Sequence, residues 1–116
     1  NLQSNFDLLK KIDKYHMEEV SYLVQKLKAT KDVQGNNLLD STVVYYSSEI
    51  SDGNAHNHDN LPILLFGKCN GHFRTGRHIK FTNRPQLASI YLAMLDAVGA
   101  PQASFGNSTA KMPELA

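Results

Sequence analysis

Residues 42–66 read TVVYYSSEISDGNAHNHDNLPILLF, and this stretch decides how the rest of the chain is interpreted. It places a polar segment, residues 49–60, between two apolar runs, Thr42–Ser48 and Leu61–Phe66. The first run is rich in β-branched and aromatic residues without clean alternation, which is typical of a strand buried on both faces. Polar side chains between two such strands lie at the mouth of a sheet, where α/β proteins keep their functional groups.

An amphipathic helix is predicted upstream, at residues 5–29. Apolar residues and one histidine recur there at steps of three and four and form one stripe: Leu9, Ile12, His16, Val20, Leu23 and Leu27. Ser4 followed by Asp7 resembles a capping box and predicts the start of the helix. We expect His16 to be packed and hydrogen-bonded rather than to act as a ligand. The polar segment Lys31–Asn37, with Gly35, is predicted to be a loop.

Downstream of the polar segment, Pro62 is predicted to open a second strand, Ile63–Phe66. Residues 72–81, with Thr75-Gly76 in the middle, predict a small hairpin. A second helix is expected to start at Arg84-Pro85, with Pro85 in its first turn, and to end before Gly99 and Pro101. The tail, residues 102–116, is predicted to be irregular and to lie over the surface.

The length and composition describe a small and ordinary globular chain. With 116 residues and a formal net charge of +1, the sequence favours neither nucleic acid nor a membrane surface as partner. No apolar run approaches the roughly 18–20 residues of a membrane span. The lone Cys69 excludes an internal disulfide and is interpreted as a small, semi-buried residue in a loop. Because the chain begins Asn1-Leu2 without a methionine, we expect a processed, trimmed or partial protein.

The element order predicts an α/β fold that is incomplete by itself. Two strands buried on both faces do not make a stable open sheet, and only two long helices are available to cover them. We therefore interpret residues 1–116 as a single segment, an edge portion of a larger α/β domain, with residues 102–116 as its tail.

The polar segment contains the candidate ligands. His56 and His58 stand two residues apart with Asp52 and Asp59 nearby, and imidazole and carboxylate are the usual ligands of zinc. Glu49, at the end of the first strand, is a candidate metal ligand or general base. The alternatives remain open: loop side chains that cap backbone groups, and a solvated carboxylate at a strand end.

Basic residues crowd the predicted hairpin. Among them, Arg77 and His78 are candidates for binding a phosphate or sulfate group, because arginine offers a forked set of donors. A solvated basic surface is the alternative interpretation. No Ser-His-Asp set, Gly-rich phosphate loop or C-x-x-C motif accompanies these residues.

The stretch Thr42–Gly67 closely resembles the C-terminal part of a family of secreted bacterial proteins. The family is known only as a domain of unknown function, and it belongs to the alkaline-phosphatase-like (sulfatase-like) superfamily. The similarity continues through Gly76-Arg77-His78, the helix Leu87–Val98 and the segment Ser104–Thr109, and it includes Ile12-Asp13 and Leu23–Thr30. Nearly the whole chain is covered, and the members of the family are several times longer.

The resemblance implies the C-terminal part of an alkaline-phosphatase-like sandwich, secreted or periplasmic, whose partner is the rest of the parent domain or a larger assembly. Hydrolases of this superfamily carry a metal-binding Asp-His pair at the end of a core strand. A further histidine lies six residues before a proline, and His56 stands six residues before Pro62. Glu49 and Ile50 occupy the place of the Asp-His pair, and Ile50 is not a ligand. The nucleophile of such enzymes lies in N-terminal segments.

Two functions follow as expectations. The chain is part of a metal-dependent phosphatase- or sulfatase-like hydrolase, with zinc as the expected metal, and is inactive on its own. Alternatively, it belongs to a non-catalytic extracellular binding or assembly module that has lost the metal site, which Ile50 favours.

Overall fold

A computed structural model describes residues 2–116, which fall into two compact units. The first unit runs to Leu38 and the second spans Leu39–Ala116. The elements, in chain order, are α1 (Leu2–Ala29), α2 (Leu38–Ser41), β1 (Val44–Ser47), β2 (Ile63–Phe66), α3 (Ala88–Ala97) and a 3-10 helix at Pro113–Leu115. This mixture of helix and strand is compatible with the predicted α/β class.

Helix α1 confirms the predicted amphipathic helix but begins earlier than expected. It spans Leu2–Ala29, so Ser4 lies inside the first turn and the capping role predicted for it is wrong. Leu2 continues the helical repeat upstream of Ser4, which is consistent with the extension. At the other end, the backbone N–H and the hydroxyl of Thr30 both donate to the carbonyl of Lys26, at 2.9 and 2.8 Å.

Most of the apolar stripe of α1 is exposed to solvent, and its Val20 and Leu27 are half-buried. None of the residues Leu2–Ala29 is buried, and Phe6, for example, is 52% exposed. His16 is exposed as well and contacts the ring of Tyr15, so the expectation that it is packed and hydrogen-bonded is wrong. The periodicity of the sequence therefore predicted the helix but not the burial of its apolar face.

The loop predicted at Lys31–Asn37 is present in the structure. The carboxylate of Asp32 accepts hydrogen bonds from the N–H groups of Gln34 and Asn36, at 2.8 and 2.9 Å. Gly35 has a φ of 88°, a left-handed conformation in which a side chain is strained. Leu38 then donates its N–H to the carbonyl of Thr30 at 3.0 Å, which closes the loop.

Strands β1 and β2 pair antiparallel, with Val44 opposite Phe66 and Ser47 opposite Ile63. The predicted second strand, Ile63–Phe66, is confirmed at both ends. The first strand, Val44–Ser47, is shorter than the apolar run Thr42–Ser48, and the residues before that run, Leu38–Ser41, form one helical turn. Both strands are at most half-buried, whereas the sequence predicted burial on both faces. Within residues 2–116 these two strands make up the whole sheet.

The turn after β2 depends on a glycine. Gly67 has a φ of 92°, and a β-carbon there would overlap the carbonyl of Thr42 and lie 2.8 Å from the carbonyl of Leu39. The next residues hydrogen-bond to the same backbone, Lys68 N–H to Leu39 at 3.3 Å and Cys69 N–H to Thr42 at 3.2 Å. This close approach of two backbone segments requires a residue without a side chain.

Cys69 lies at the centre of the core. It is only 2% exposed and packs with Phe73 and Ala93. Cys69 is therefore more deeply buried than the semi-buried loop residue that the sequence predicted. The predicted hairpin at 72–81 is wrong, since these residues, all described, form turns and irregular backbone. The Phe73 side chain packs into the core, and its N–H donates to the carbonyl of Lys68 at 3.0 Å rather than to a partner strand.

Helix α3 supplies much of the buried surface of the second unit: Ala88, Ser89, Ile90, Leu92 and Ala93. It begins at Ala88, so Pro85 lies upstream of the helix and not in its first turn as predicted. Its end was predicted correctly. Gly99, with a φ of 78°, donates its N–H to Asp96 and Ala100 donates to Leu95, the two bonds of a Schellman motif.

The tail is irregular up to its 3-10 helix, but it does not simply lie over the surface. Ser108 and Met112 are buried, which corrects that expectation. The Ser108 hydroxyl lies 2.7 Å from that of Ser89, and the Met112 N–H donates to the Ser89 carbonyl at 3.1 Å. These bonds fix the tail against α3 because buried polar groups require partners.

Candidate functional site

The polar segment between β1 and β2 is organised around Asp52. The carboxylate of Asp52 accepts hydrogen bonds from the N–H groups of Ala55 and Asn54, at 2.9 and 2.8 Å. These bonds favour the charged form and hold the pKa of Asp52 below its ordinary value of 3.8. One carboxylate oxygen therefore caps the turn, which is the role that the structural alternative assigned to it.

His56 lies on the same turn. Its N–H donates to the carbonyl of Asp52 at 2.8 Å, and its φ is 51°, which is uncommon for a residue with a side chain. Ser51 and Asn57 pair across the base of the turn, where the Ser51 N–H donates to the Asn57 carbonyl at 3.1 Å. The imidazole of His56 is exposed. Asp52 and His56 are thus brought together through the backbone of residues 51–57.

His58 has the most clearly oriented side chain of the segment. Its Nδ1 lies 2.7 Å from the carbonyl oxygen of Glu49. A carbonyl oxygen only accepts, so Nδ1 carries the proton and the Nε2 of the neutral ring keeps a free lone pair. The same arrangement, with one ring nitrogen bound to a carbonyl, orients histidines that ligate metals through the other nitrogen. The structure therefore brings the His58 ring to the backbone carbonyl of Glu49, which is another of the predicted site residues.

An aromatic cluster near Glu49 was not predicted from the sequence. The Tyr91 hydroxyl donates to that of Tyr45 at 3.3 Å, and the Tyr91 ring meets those of Tyr45 and Phe105 edge-on, with centroids 5.4 and 5.5 Å away. The bond to Tyr45, then burial, then the nearby negative charge of Glu49 raise the pKa of Tyr91 to about 12.

Arg77 and His78 lie in the irregular segment after the core turn, and both are exposed. The Arg77 guanidinium donates to backbone carbonyls, from Nε to Arg74 at 3.1 Å and from Nη2 to Ala116 at 3.4 Å. Part of its donor set therefore holds the tail. Asp59, which the sequence placed near the histidines, forms an ion pair with Arg84.

The predicted ligands do not converge on one point. Among residues 2–116, no group of three or more His, Cys, Asp or Glu side chains is arranged to hold a metal ion. The donor types of Glu49, Asp52, His56 and His58 suit zinc, but the contacts that join them in this part of the chain are made to the backbone carbonyls of Glu49 and Asp52 and not between ligand side chains.

No helix within the described residues 2–116 is long and apolar enough to cross a membrane. Comparison of the chain with protein-family models, with curated proteins and with solved structures finds no match.

Proposed function

We propose that this chain is the C-terminal part of a metal-dependent, phosphatase- or sulfatase-like hydrolase with an alkaline-phosphatase-like sandwich, inactive on its own. One observation carries the proposal: the Nδ1 of His58 is bound to the Glu49 carbonyl at 2.7 Å, which leaves Nε2 exposed as a ligand. In this proposal His58 is the leading metal ligand of the segment. The resemblance of the sequence had favoured His56.

The half-buried two-stranded sheet supports a parent domain as partner. Strands β1 and β2 each keep one backbone edge without a neighbouring strand in residues 2–116, and Leu64 on β2 is 42% exposed. Further strands of a larger sheet would pair with these edges, which otherwise remain open to pairing with other chains. The remaining ligands and the nucleophile would come from that parent domain.

A bound zinc ion would supply charge stabilisation and an activated oxygen nucleophile at the ester. The chain's own contributions are the Nε2 of His58 and, from the exposed carboxylates, Glu49. Arg77 would face the phosphate or sulfate group with the guanidinium N–H groups that are not bound to backbone carbonyls, and His78 would face it with its imidazole. The proposal places the protein in a secreted or periplasmic compartment of a bacterium, as the resemblance implies.

The first experiment titrates zinc into the 116-residue chain and follows the ring nitrogens of each histidine by ¹⁵N NMR. We expect the Nε2 resonance of His58 to shift at the lowest zinc concentration while Nδ1 stays protonated. His58→Ala should remove that first binding event, and His72→Ala is the matched control because His72 lies outside the segment. Equal zinc affinity of the His58→Ala variant and the unmodified chain would count against the proposed ligand.

The second experiment assays the full-length protein on aryl phosphate and aryl sulfate esters, with and without a chelator. We expect turnover that the chelator abolishes and zinc restores. His58→Ala should lower kcat/KM by at least about a hundredfold, because loss of a ligand should exceed the roughly 10- to 100-fold cost of losing a group that only orients one. Turnover insensitive to the chelator would refute metal dependence.

A non-catalytic extracellular binding or assembly module is the second candidate. It is favoured by Ile50, which stands where the superfamily has a histidine ligand, and by the lack of a three-ligand group within residues 2–116. The same ester assay separates the two functions. A full-length protein that binds no zinc and turns over neither ester would favour the module.

A further inference from the structure

The exposed apolar stripe of α1 has an internal symmetry. Eight positions repeat at alternating steps of four and three, which on an α-helix keeps them within an arc of about 100°. This set keeps five residues of the stripe predicted from the sequence, takes Asp13 in place of Ile12, and adds Leu2 and Phe6. Taken from the two ends inwards, they pair Leu2 with Leu27, Phe6 with Leu23, Leu9 with Val20, and Asp13 with His16. Every position in one half of the stripe thus has a counterpart at the same distance from the midpoint.

This symmetry matches the stripe to itself when two copies run antiparallel. A two-fold axis at the midpoint then places each residue of one helix opposite its counterpart on the second copy. Three of the four pairs are apolar on both sides. The fourth brings Asp13 of each copy opposite His16 of the other, so a carboxylate that accepts hydrogen bonds faces an imidazole that can donate one.

The polar pair in the middle argues against a wholly apolar occupant. Asp13 and His16 are both exposed, and within residues 2–116 Asp13 makes no ion pair or side-chain hydrogen bond. An apolar surface over the stripe would bury a carboxylate and an imidazole without partners, which is costly. A second antiparallel copy supplies a partner to each. A parallel copy would place Asp13 against Asp13 and His16 against His16.

We propose that α1 is a self-association surface through which two copies of this chain pair as antiparallel helices, with Asp13 and His16 as the register-setting contacts. Single polar residues within an apolar helical stripe fix register and partner orientation in helical pairs, at some cost in stability. The match is confined to the eight positions, because the flanking Leu8, Tyr15 and Tyr22 have polar counterparts. The proposal is independent of the hydrolase function.

The test measures the mass of the 116-residue chain by sedimentation over a concentration series at neutral pH. We expect a dimer that dissociates on dilution through roughly the micromolar range, as suits an interface of modest size. Asp13→Lys places a lysine opposite His16, and His16→Asp places two carboxylates opposite each other. Each variant should weaken the dimer at least about tenfold, because His16→Asp sets two carboxylates face to face and Asp13→Lys removes the carboxylate that accepts from the imidazole.

The double variant D13K/H16D decides the orientation. In an antiparallel pair it restores opposite charges at both contacts, so the dimer should return to at least its original affinity. In a parallel pair it leaves like charges facing each other, and no rescue follows. Lys11→Glu, on the polar face of α1, is the matched control and should leave the dimer constant unchanged. Circular dichroism of every variant checks that α1 remains helical.

A chain that stays monomeric at millimolar concentration overturns the proposal. So does a dimer that is insensitive to Asp13→Lys and His16→Asp, since it would use another surface such as the edge of the two-stranded sheet. Absence of rescue in D13K/H16D, with helicity intact, rejects the antiparallel arrangement.

Discussion

Helix α1 and helix α3 differ in a way that their lengths would not suggest. The longer helix, Leu2–Ala29, has no buried residue, whereas the ten-residue helix Ala88–Ala97 has five. Both have the apolar repeat that predicts a helix. What separates them is the tail and the turn at Cys69, which provide partners for α3. Periodicity thus predicts which face of a helix is apolar, and tertiary packing decides whether that face is buried.

The strongest test of the packed region changes the glycine that lets two backbone segments meet. Gly67→Ala should destabilise the second unit by at least about 3 kcal/mol, because the new methyl group overlaps the Thr42 carbonyl at a strained φ. Gly71→Ala is the control: its φ is 90°, but nothing lies within 4 Å, so only the strain of about 1–2 kcal/mol applies. Chemical denaturation measures both. Equal losses would show that the close approach at Gly67 does not matter.

A pair of leucine substitutions tests the contrast between the two helices directly. Leu92→Ala should cost about 2–5 kcal/mol, since Leu92 is 2% exposed and its removal leaves a cavity. Leu23→Ala in α1, where the side chain is 47% exposed, should cost less than about 1 kcal/mol under conditions where the chain is monomeric. Thermal unfolding followed by circular dichroism measures both changes. Similar losses would mean that α1 is as well packed as α3.

A smaller effect is expected where the tail is held to α3. Ser108→Ala removes one partner of the Ser89 hydroxyl and should destabilise the second unit by about 1–2 kcal/mol. Replacing both serines by alanine should cost less than the sum of the single changes, because no unpaired hydroxyl then remains buried. If the two single losses of stability simply add in the double variant, the hydrogen bond between Ser89 and Ser108 does not contribute to stability.

The smallest effect concerns the polar segment, which is exposed like α1 but ordered by its own hydrogen bonds. Hydrogen bonds from Ala55 and Asn54 lower the pKa of Asp52, so the carboxylate should titrate below 3.8 by NMR. A lowered folded-state pKa means that the contribution to stability is present above the unfolded pKa and is lost as pH falls through the folded one.

Asp52→Leu should therefore increase amide exchange at Asn54 and Ala55 near neutral pH and have little effect at the acid end. Asp7→Leu, in α1, is the control for removal of an exposed carboxylate. Unchanged exchange at Asn54 in the Asp52→Leu variant would show that the turn holds itself without the carboxylate.

The sequence predicted best where local chemistry determines the backbone. Pro62 and Gly67 delimit β2, and Gly99 ends α3 in the expected Schellman motif. Prediction failed where distant residues decide. Residues 72–81 alternate in a way that suggests a hairpin, but Phe73 packs against Cys69 and Ala93, and Arg74 donates its N–H to Leu115 in the tail at 3.1 Å.

The candidate site shows the same limit. The spacing of the histidines identified His56 and His58 as candidates but did not indicate which ring is oriented. That orientation depends on the backbone path that brings the Glu49 carbonyl to the ring of His58. The contact between Tyr45 and Tyr91 joins residues far apart in sequence, and such pairings follow from the fold rather than from any local pattern.

The burial of Cys69 makes its thiol a reporter of how often the core opens. It is the only thiol in the chain and is 2% exposed, so a thiol-reactive reagent can modify it only when the core around it opens. With reagent in excess, the rate of modification reports the opening rate, and at low reagent it reports the opening equilibrium. Labelling of the native protein therefore measures the opening of the second unit, residues 39–116, separately from any fraying of α1. It needs neither denaturant nor an engineered probe.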